Sequence, residues 1–370
     1  MNIVLFLPTF GDGGIERNFV YLANGLVQSG HRVSLLVPDP QGSFMEQLHE
    51  TVECVAFSAT GKAAWVDFLL QFIQARRPDA VLTGQADDHR MAATVRQRLG
   101  GSERCCFYAF VGTPLLHMAE QRYRFPPALW LKRLKLARLM RDQPRLLANS
   151  QGVALDLSRL TGRPLTDIAV VPNPTIPPQL DELAGVALHH PWLQDPDIPV
   201  IMGAGRMSRA KDFPTLIKAF ARVHQARPAR LMLLGAGHQA DTLKSLAASL
   251  GIAQAVDWPG FVTNPYAYLA RAAVFVLSSR WEGCPNVLIE ALAVGTPVVA
   301  TDCISGPSEV LQQGRYGRLV PVGDDQAMSA AILATLDAPL PSSELRQAAK
   351  PYHIRNATQA FITLLESSHV

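Results

Sequence analysis

The chain is poor in cysteine for its 370 residues, and its five cysteines follow no metal-binding or redox spacing. They are Cys54, Cys105, Cys106, Cys284 and Cys303. No two of them form a C-x-x-C pair, which excludes zinc ribbons and thioredoxin-like motifs. An odd count that includes a vicinal pair is typical of reduced thiols, so we expect a cytoplasmic protein.

Strong net charge and long apolar runs are also missing. The 34 lysines and arginines nearly balance 31 acids, for a net charge of +3, which excludes the basic excess of a nucleic-acid-binding protein. No apolar run approaches the roughly 18 residues of a membrane-spanning helix. The start, residues 1–8, lacks the basic segment of a signal peptide and predicts a strand.

Short β-branched runs alternate with amphipathic stretches along the chain, a pattern typical of βαβ units and a parallel sheet. Two such series occur, and the proline-rich segment 171–178 lies between them. We therefore predict an α/β protein with two Rossmann-like domains, an N-terminal domain over 1–172 and a C-terminal domain over 198–352, joined by a linker over 173–197.

The same patterns predict the individual elements. The N-terminal strands are predicted at Ile3–Leu7, Val33–Val37, Ala80–Thr83, Cys106–Phe110 and Leu146–Ala148, and a helix at Glu16–Ser29. The C-terminal strands are predicted at Pro199–Ala204, Leu231–Leu234, Val256–Trp258, Ala273–Leu277 and Pro297–Thr301. Helices are predicted between them at Phe213–Arg227, Gln239–Leu250, Pro265–Arg271 and Asn286–Val294.

A glycine-rich loop, Gly11-Asp12-Gly13-Gly14-Ile15-Glu16-Arg17, joins the first strand to the first helix. Glycine lets backbone N–H groups approach a phosphate, and a helix N-terminus favours an anion, so Gly13 and Gly14 are candidate phosphate ligands. A nicotinamide fingerprint is one alternative, supported by Asp39, but Glu16 stands where the third glycine belongs. A plain tight turn is the other alternative.

A second glycine loop, residues 203–213, ends the first strand of the C-terminal domain. It places Arg206 and Lys211 five residues apart, just before a helix. Two cations at the carboxyl end of a parallel strand are suited to binding a diphosphate. Surface charge without a ligand is the alternative for this pair.

The segment Glu282-Gly283-Cys284-Pro285-Asn286-Val287-Leu288-Ile289-Glu290 places two carboxylates eight residues apart around a loop-to-helix junction. Pro285 suits the first helical position, so the N–H groups of Asn286, Val287 and Leu288 are predicted to face a ligand. Glu290 is placed to chelate a vicinal diol such as a ribose, and Glu282 a different hydroxyl-bearing group. A helix with solvated acids is the alternative.

These segments resemble the retaining glycosyltransferases of family 4, which have the GT-B fold and include bacterial polysaccharide and lipopolysaccharide transferases. The resemblance is densest over 198–322, where it includes Thr301-Asp302-Cys303-Ile304-Ser305-Gly306-Pro307, and looser at 13–17 and 171–174. It implies two Rossmann-like domains that face each other across a cleft. The C-terminal domain would bind a nucleotide sugar and the N-terminal domain the acceptor, with the final helix, about 353–370, returning to the N-terminal domain.

The resemblance also implies a role for each matching position. Arg206 and Lys211 would stabilise the departing nucleoside diphosphate without a metal or cofactor, and Glu290 would hold the ribose. The carboxylate of Glu282 and the backbone of Gly283, Cys284, Pro285 and Asn286 would bind hydroxyls of the donor sugar. The amide of Gly14, flanked by Gly13 and Glu16, would approach the diphosphate.

The implied reaction transfers a hexosyl group from a nucleotide sugar, with uridine the favoured base, to a glycan or lipid-linked acceptor. The configuration would be retained, and the product would be cell-surface polysaccharide or lipopolysaccharide. A sugar-nucleotide epimerase of the same fold and a non-catalytic nucleotide-sugar-binding subunit are the alternatives.

Two positions depart from the family pattern. Relatives carry a bulkier apolar residue in place of Cys284, so this side chain is predicted to alter the donor-sugar pocket. Relatives place a histidine or asparagine near the end of the strand Ala80–Thr83, where this chain offers both Asp88 and His89 as sugar ligands. A hydrogen-bonding role at the helix N-terminus is the alternative for His89.

The basic stretch 122–145 carries eight cations against one acid, Asp142, interleaved with leucines and Trp130. As a single helix it would lie on an anionic membrane surface, where lipid-linked acceptors are presented. A solvated helix packed on the N-terminal domain is the alternative. If the stretch contacts the membrane, we expect a peripheral protein on the inner face of the cytoplasmic membrane.

Overall fold

The computed structural model describes residues 1–8, 10–11, 13–42, 44–58, 61–100, 105–123 and 125–367. Asp12 and Arg124, which belong to the predicted glycine loop and basic stretch, lie outside this range. Two units are distinguished by their internal contacts. The first comprises Met1–Pro174 and the residues from Ile354 onward, and the second comprises Thr175–His353.

The first unit is a seven-stranded parallel sheet with helices between its strands. Its strands are β1 (Asn2–Phe6), β2 (Arg32–Val37), β3 (Glu53–Ala56), β4 (Ala80–Thr83), β5 (Cys106–Val111), β6 (Arg145–Ala148) and β7 (Ile168–Val170). Its helices are α1 (Gly14–Gln28), α2 (Lys62–Arg76), α3 (Ala86–Arg98), α4 (Leu115–Arg122), α5 (Pro126–Arg141) and α6 (Gln151–Thr161).

The second unit is a six-stranded parallel sheet. Its strands are β8 (Val200–Ala204), β9 (Arg230–Leu234), β10 (Val256–Gly260), β11 (Val274–Leu277), β12 (Val298–Thr301) and β13 (Arg318–Val320). Its helices are α7 (Leu180–Gly185), α8 (Pro191–Gln194), α9 (Phe213–Ala226), α10 (Ala240–Ser249), α11 (Pro265–Leu269), α12 (Asn286–Val294), α13 (Pro307–Val310), α14 (Asp325–Asp337) and α15 (Ser342–Ala349). The predicted parallel α/β class is confirmed.

Both sheets are buried on both faces, which explains their apolar strands. In β1, Ile3 and Leu5 join one buried cluster while Val4 and Phe6 join another, because successive side chains point to opposite faces. The strands β8, β11 and β12 divide their side chains between two clusters in the same way. The first sheet is packed into three such clusters and the second into two.

The strand orders are β3-β2-β1-β4-β5-β6-β7 and β10-β9-β8-β11-β12-β13. The order reverses between β1 and β4 in the first unit and between β8 and β11 in the second. Open parallel sheets bind ligands at the carboxyl ends of the strands beside such a reversal. The glycine loop of the first unit follows β1, and the Arg206/Lys211 loop of the second follows β8.

Residues 173–197 differ from the predicted linker, because the second unit begins at Thr175. Ile176 and Leu180 are buried in its core, and α7 packs on α11. The N–H groups of Thr175 and Ile176 both donate to the carbonyl of Tyr352, at 2.9 and 3.0 Å. The proline-rich segment is non-helical, but the residues after it are packed structure.

The basic stretch is two helices and the start of a strand, so the expectation of a single helix is wrong. Helix α4 ends at Arg122 and α5 begins at Pro126, with Phe125 extended before it (φ −85°, ψ 118°). A residue before proline avoids the helical conformation, which explains the break. At the other end, Arg145 already belongs to β6.

The last helix, α16 (Ile354–Ser367), packs against α1 in the first unit. Ile354, Phe361, Ile362 and Leu365 enter the same buried cluster as Ile3 and Leu5. The first unit is therefore assembled from both ends of the chain.

Candidate active site

The loops that follow β8 and β11 hold the cations and one of the carboxylates predicted for the donor. The two strands are paired neighbours, with Val274 beside Ile201, so their following loops leave the sheet edge side by side. The N–H of Arg280 donates to the carbonyl of Ala210 at 2.7 Å, and the hydroxyl of Ser278 donates to the carbonyl of Lys211 at 2.7 Å. These bonds lock the two loops together.

Backbone conformations that few side chains tolerate shape the first of these loops. Gly205 has φ +141°, and a Cβ there would lie 2.9 Å from the Cε of Lys211. Asp212 has φ +46°, and its carboxylate accepts bonds from Thr215 and Arg280 at 2.9 and 3.1 Å. The glycine leaves room for the lysine side chain, and the aspartate fixes the turn that follows it.

Lys211 and Glu282 form an ion pair, with Nζ 2.6 Å from Oε1. The hydroxyl of Ser279 donates to the same carboxylate oxygen at 2.5 Å. Both charged side chains are mostly buried, at 20% and 12% exposure, so this pair is better shielded from solvent than a surface ion pair. An anion that binds Lys211 must therefore compete with Glu282.

Arg206 is exposed, as is Arg209 in the same loop. Among the residues that the structure describes, no carboxylate lies within ion-pair distance of the Arg206 guanidinium. Its charge is available to an incoming ligand, unlike that of Lys211.

The junction at the start of α12 is braced by the loop after β12. The hydroxyl of Ser305 donates to the carbonyls of Glu282 and Gly283. Gly306 has φ +91°, and a Cβ there would lie 2.6 Å from the Cδ of Pro285. The segment that carries Glu282 is thus held on two sides, and Glu290 lies in the second turn of α12 at 2% exposure.

Three details at this junction differ from the sequence-based expectations. Pro285 is the residue before the first helical turn, so α12 begins at Asn286. The N–H of Leu288 donates to the carbonyl of Pro285 at 3.0 Å, so it does not face a ligand. The Cys284 side chain lies in the core of the second unit, against Tyr352. The pKa of Tyr352 is raised, mainly by burial and to a smaller extent by the neighbouring Cys284.

The corresponding edge of the first unit brings Glu16, Gln85 and Asp88 together. Gly13 caps α1, and a Cβ on it would lie 2.3 Å from the Glu16 carboxylate. The amide of Gln85 donates to the other oxygen of Glu16 at 3.2 Å. Because the buried carboxylate of Glu16 occupies this space, a dinucleotide pyrophosphate does not fit here as the nicotinamide alternative requires.

Asp88 and His89 lie in the first turns of α3 and both are buried. One Asp88 oxygen accepts the N–H of Gln85 at 3.0 Å, and burial raises the pKa of this carboxyl to about 8, with Glu16 adding to the shift. The Nδ1 of His89 lies 2.6 Å from the hydroxyl of Thr83, and burial lowers the pKa of this imidazole to about 3. At neutral pH the histidine is therefore uncharged.

Ser279, Ser305 and Gln85 are site residues that the sequence analysis missed. Each acts through hydrogen bonds to a loop carbonyl or a carboxylate, so no spacing in the sequence signals it. Within the described residues, no group of three or more histidine, cysteine, aspartate or glutamate side chains is arranged to hold a metal ion. Nor does any helix in the described ranges have the length and apolar character needed to cross a membrane.

Two family models match the chain, one in each half. The model "Glycosyltransferase Family 4" matches residues 12–176, and "Glycosyl transferases group 1" matches residues 198–338. Together they match most of the chain, including both of the sheet edges described above.

Curated relatives match over shorter stretches. The lipopolysaccharide core biosynthesis glycosyltransferase LpsE of Rhizobium meliloti is 35% identical over 52% of this chain and 54% of its own. The N-acetylgalactosamine-N,N'-diacetylbacillosaminyl-diphospho-undecaprenol 4-alpha-N-acetylgalactosaminyltransferase of Campylobacter jejuni is 35% identical over 40% of each chain. The chain thus spans about half or less of the length of these relatives.

Solved structures match the whole chain. The lipopolysaccharide outer core galactosyltransferase WaaB in its apo form has a TM-score of 0.74 at 18% identity, over 100% of both chains. Anabaena HepE in complex with UDP-glucose has a TM-score of 0.79 at 19% identity, over 99% of this chain and 100% of its own. The chain belongs to the group 1, family 4 glycosyltransferases, and its two parallel-sheet units confirm the predicted GT-B fold.

Proposed function

We propose that the protein is a retaining hexosyltransferase that uses a UDP-sugar. Its acceptor is a glycan or a lipid-linked sugar, and its product is cell-surface polysaccharide or lipopolysaccharide. The observation that carries the proposal is the Lys211–Glu282 pair at the edge of the second sheet, beside Arg206 and the start of α12. Cations that can bind a diphosphate therefore lie beside a carboxylate that can accept hydrogen bonds from sugar hydroxyls.

The donor site is assigned to the second unit. Arg206 and Lys211 bind the diphosphate, and the N-terminus of α12 adds its dipole. Glu290 binds the ribose, while Glu282 and the backbone of 283–286 bind the sugar. Hydroxyl groups of the sugar donate to Glu282 as the diphosphate draws Lys211 away from it, so that neither charged group loses a partner.

The reaction needs no metal ion or cofactor in this proposal. The bond from the sugar C1 to the diphosphate oxygen breaks, and the acceptor oxygen bonds to C1 on the same face. The acceptor proton passes to the departing diphosphate. Arg206 and Lys211 stabilise the negative charge that develops on the leaving group, the role that a divalent ion plays elsewhere.

The names of similar proteins support the donor and the product class. HepE was solved with UDP and with UDP-glucose, and WaaB and LpsE are named for lipopolysaccharide synthesis. The Campylobacter relative is named for transfer to a diphospho-undecaprenol acceptor. We extend these properties to this chain as part of the proposal.

A membrane contact through α5 is part of the proposed function. Trp130, Leu131 and Leu134 of this helix are exposed at 63%, 48% and 46%, and Phe125 before it at 68%. Exposed Arg133, Lys135, Arg138 and Arg141 lie on the same helix. Apolar side chains with flanking cations complement an anionic bilayer surface. In this proposal the helix holds the first unit, with the lipid-linked acceptor, at the cytoplasmic face of the membrane.

The test is a panel of UDP- and GDP-hexoses, with thermal unfolding and diphosphate release as readouts. A donor that binds only the folded protein adds about 2.7 kcal/mol of stability at a hundredfold excess over its Kd. We expect UDP and one UDP-hexose to raise the unfolding temperature, and EDTA to leave release of UDP unchanged. Absence of any stabilisation across the panel would contradict the proposal, and activity that EDTA abolishes and Mn²⁺ restores would contradict its metal-free part.

A further inference from the structure

A cavity of about 350 Å³ lies within the first unit, between the start of α3 and the side of α5. It is lined by Gln85, Ala86, Asp87, Arg90, Lys132, Lys135, Leu136 and Leu139. Gln85 also donates to Glu16, so the cavity adjoins the ligand edge of this sheet. Its volume falls in the range of small-ligand sites and exceeds that of a diphosphate group.

The cavity is strongly basic. Asp87, its one acidic residue, is bound to Arg90 at 2.7 Å and to Lys62 at 2.8 Å. In the part of the chain that the structure describes, no carboxylate lies within ion-pair distance of Lys132 or Lys135. Three cations therefore line the cavity with one carboxylate, beside the N-terminus of α3, whose dipole also favours an anion.

The helix that supplies the two lysines also supplies exposed apolar side chains. Leu131 and Leu134 each adjoin a cavity lysine in the sequence of α5, and Trp130 lies beside them. A phosphate group that arrives on a lipid would place its charge in the cavity and its alkyl chains along this apolar surface. A free phosphate would use the cations alone.

We propose that this cavity binds the phosphate or diphosphate group of a lipid-linked acceptor. The proposal rests on the proposed function, since it names the part of the acceptor that the first unit holds. Arg90, Lys132 and Lys135 bind the phosphate oxygens, and the sugar that follows the phosphate lies toward Gln85 and the carboxyl ends of β1 and β4. The cavity thus selects acceptors that carry a phosphate.

The experiment compares two double variants that lose the same charge from α5. Lys132→Gln with Lys135→Gln removes cavity cations, while Arg133→Gln with Arg138→Gln removes exposed cations that do not line the cavity. Each protein is sedimented with phosphatidylcholine vesicles that contain an isoprenyl diphosphate or phosphatidylglycerol, at matched surface charge. The isoprenyl diphosphate presents the diphosphate of a lipid-linked acceptor, and phosphatidylglycerol presents a single diester phosphate.

We expect the wild-type chain to prefer the isoprenyl diphosphate by about tenfold, equivalent to one charge-assisted hydrogen bond. The cavity variant should lose this preference and the control variant should keep it. Equal loss in both variants, or no preference in the wild type, would overturn the proposal. If inorganic pyrophosphate stabilises the wild type but not the cavity variant while no vesicle preference exists, the lipid source is wrong and the cavity takes a free phosphate.

The stabilisation by UDP serves as the separate check on the proposed function. It depends on the second unit, so it should be equal in all three proteins. A wild-type chain that UDP does not stabilise would refute the donor assignment, whatever the vesicles show.

Discussion

The two units carry different charges at the corresponding place in their sheets, the carboxyl ends of the strands where the strand order reverses. In the first unit, the loops after β1 and β4 bring together two carboxyl groups, Glu16 and Asp88, and burial holds the pKa of Asp88 near 8. In the second unit, the loops after β8 and β11 bring Lys211 against Glu282, next to Arg206. The first edge therefore suits neutral hydroxyl groups, and the second suits an anion that also carries hydroxyls.

This difference teaches that the fold supplies the location and the loops supply the chemistry. A strand-order reversal opens the edge in both sheets, but it does not decide which ligand binds. Substitutions in and around these loops test how each of the two sites contributes to turnover, ligand affinity and stability.

The largest effect is expected from Lys211→Ala. Removal of a cation that stabilises the leaving diphosphate should lower kcat by about a hundredfold to a thousandfold, measured as release of UDP. Lys218→Ala, an exposed lysine on α9, is the matched control and should retain full turnover. A loss below tenfold for Lys211→Ala would remove this residue from the proposed catalytic group.

Glu290→Gln and Glu282→Gln separate the two carboxylates. UDP carries the ribose but no sugar, so Glu290→Gln should weaken UDP binding by about 1–3 kcal/mol in calorimetric titration. Glu282→Gln should leave UDP affinity intact or raise it, because it frees Lys211, while turnover falls. If UDP affinity falls equally in both variants, the assignment of the two carboxylates is wrong.

Gly306→Ala tests the brace at the start of α12. Its Cβ would lie 2.6 Å from the Cδ of Pro285 and 2.8 Å from the Gly283 carbonyl, at φ +91°. Gly323 has φ +79°, and a Cβ there would meet no atom within 4 Å. We expect Gly323→Ala to lose about 1–2 kcal/mol of unfolding free energy with turnover kept, and Gly306→Ala to lose more stability and turnover as well. Equal effects would show that the brace has no role at the site.

Asp88→Asn should have the smallest effect on turnover and should alter the pH dependence of stability. The folded pKa near 8 exceeds the unfolded value, so between about pH 4 and pH 8 only the unfolded chain ionises and wild-type stability falls as pH rises. Relative to Asp88→Asn, the wild type should lose more than about 1 kcal/mol over this range in urea unfolding.

Asp87→Asn is the control for that titration. Hydrogen bonding to Lys62 lowers the pKa of Asp87, so its contribution is complete above the unfolded pKa and is lost only as pH falls through the folded pKa. The difference between wild type and this variant should stay constant from about pH 5 to pH 8. A constant difference for Asp88→Asn as well would show that Asp88 is ionised in the fold.

The central strands could be predicted from sequence, whereas three of the four outermost strands could not. A strand buried on both faces, such as β1 or β11, is a nearly continuous apolar run. The strands β3, β7 and β13 are outermost strands in their sheets. Each has only three or four residues, some of them exposed, so their sequence patterns resemble those of loops. The linker was misplaced for a similar reason, since proline marks irregular backbone but not its burial.

The glycine loops and carboxylates were found from their spacing, but the bonds among them were not. Lys211 and Glu282 are 71 residues apart, and only the pairing of β8 with β11 brings them into contact. Ser305 and Gly306, which brace the site from the loop after β12, depend on the pairing of β11 with β12. Local sequence predicted which residues would belong to the site. It could not predict which of their charges neutralise each other.

The return of α16 to the first unit has a consequence for synthesis of the chain. Ile354, Phe361 and Leu365 complete a core that begins at Ile3, and Thr358 packs against Gly25 of α1. At about 5–20 residues per second, a ribosome needs roughly 10–40 seconds to pass from the end of the first segment to this helix. During that interval the residues of the second unit are synthesised, and the apolar face of α1 that this helix covers stays uncovered. The last apolar face of the first unit is therefore covered only after the whole second unit has been made.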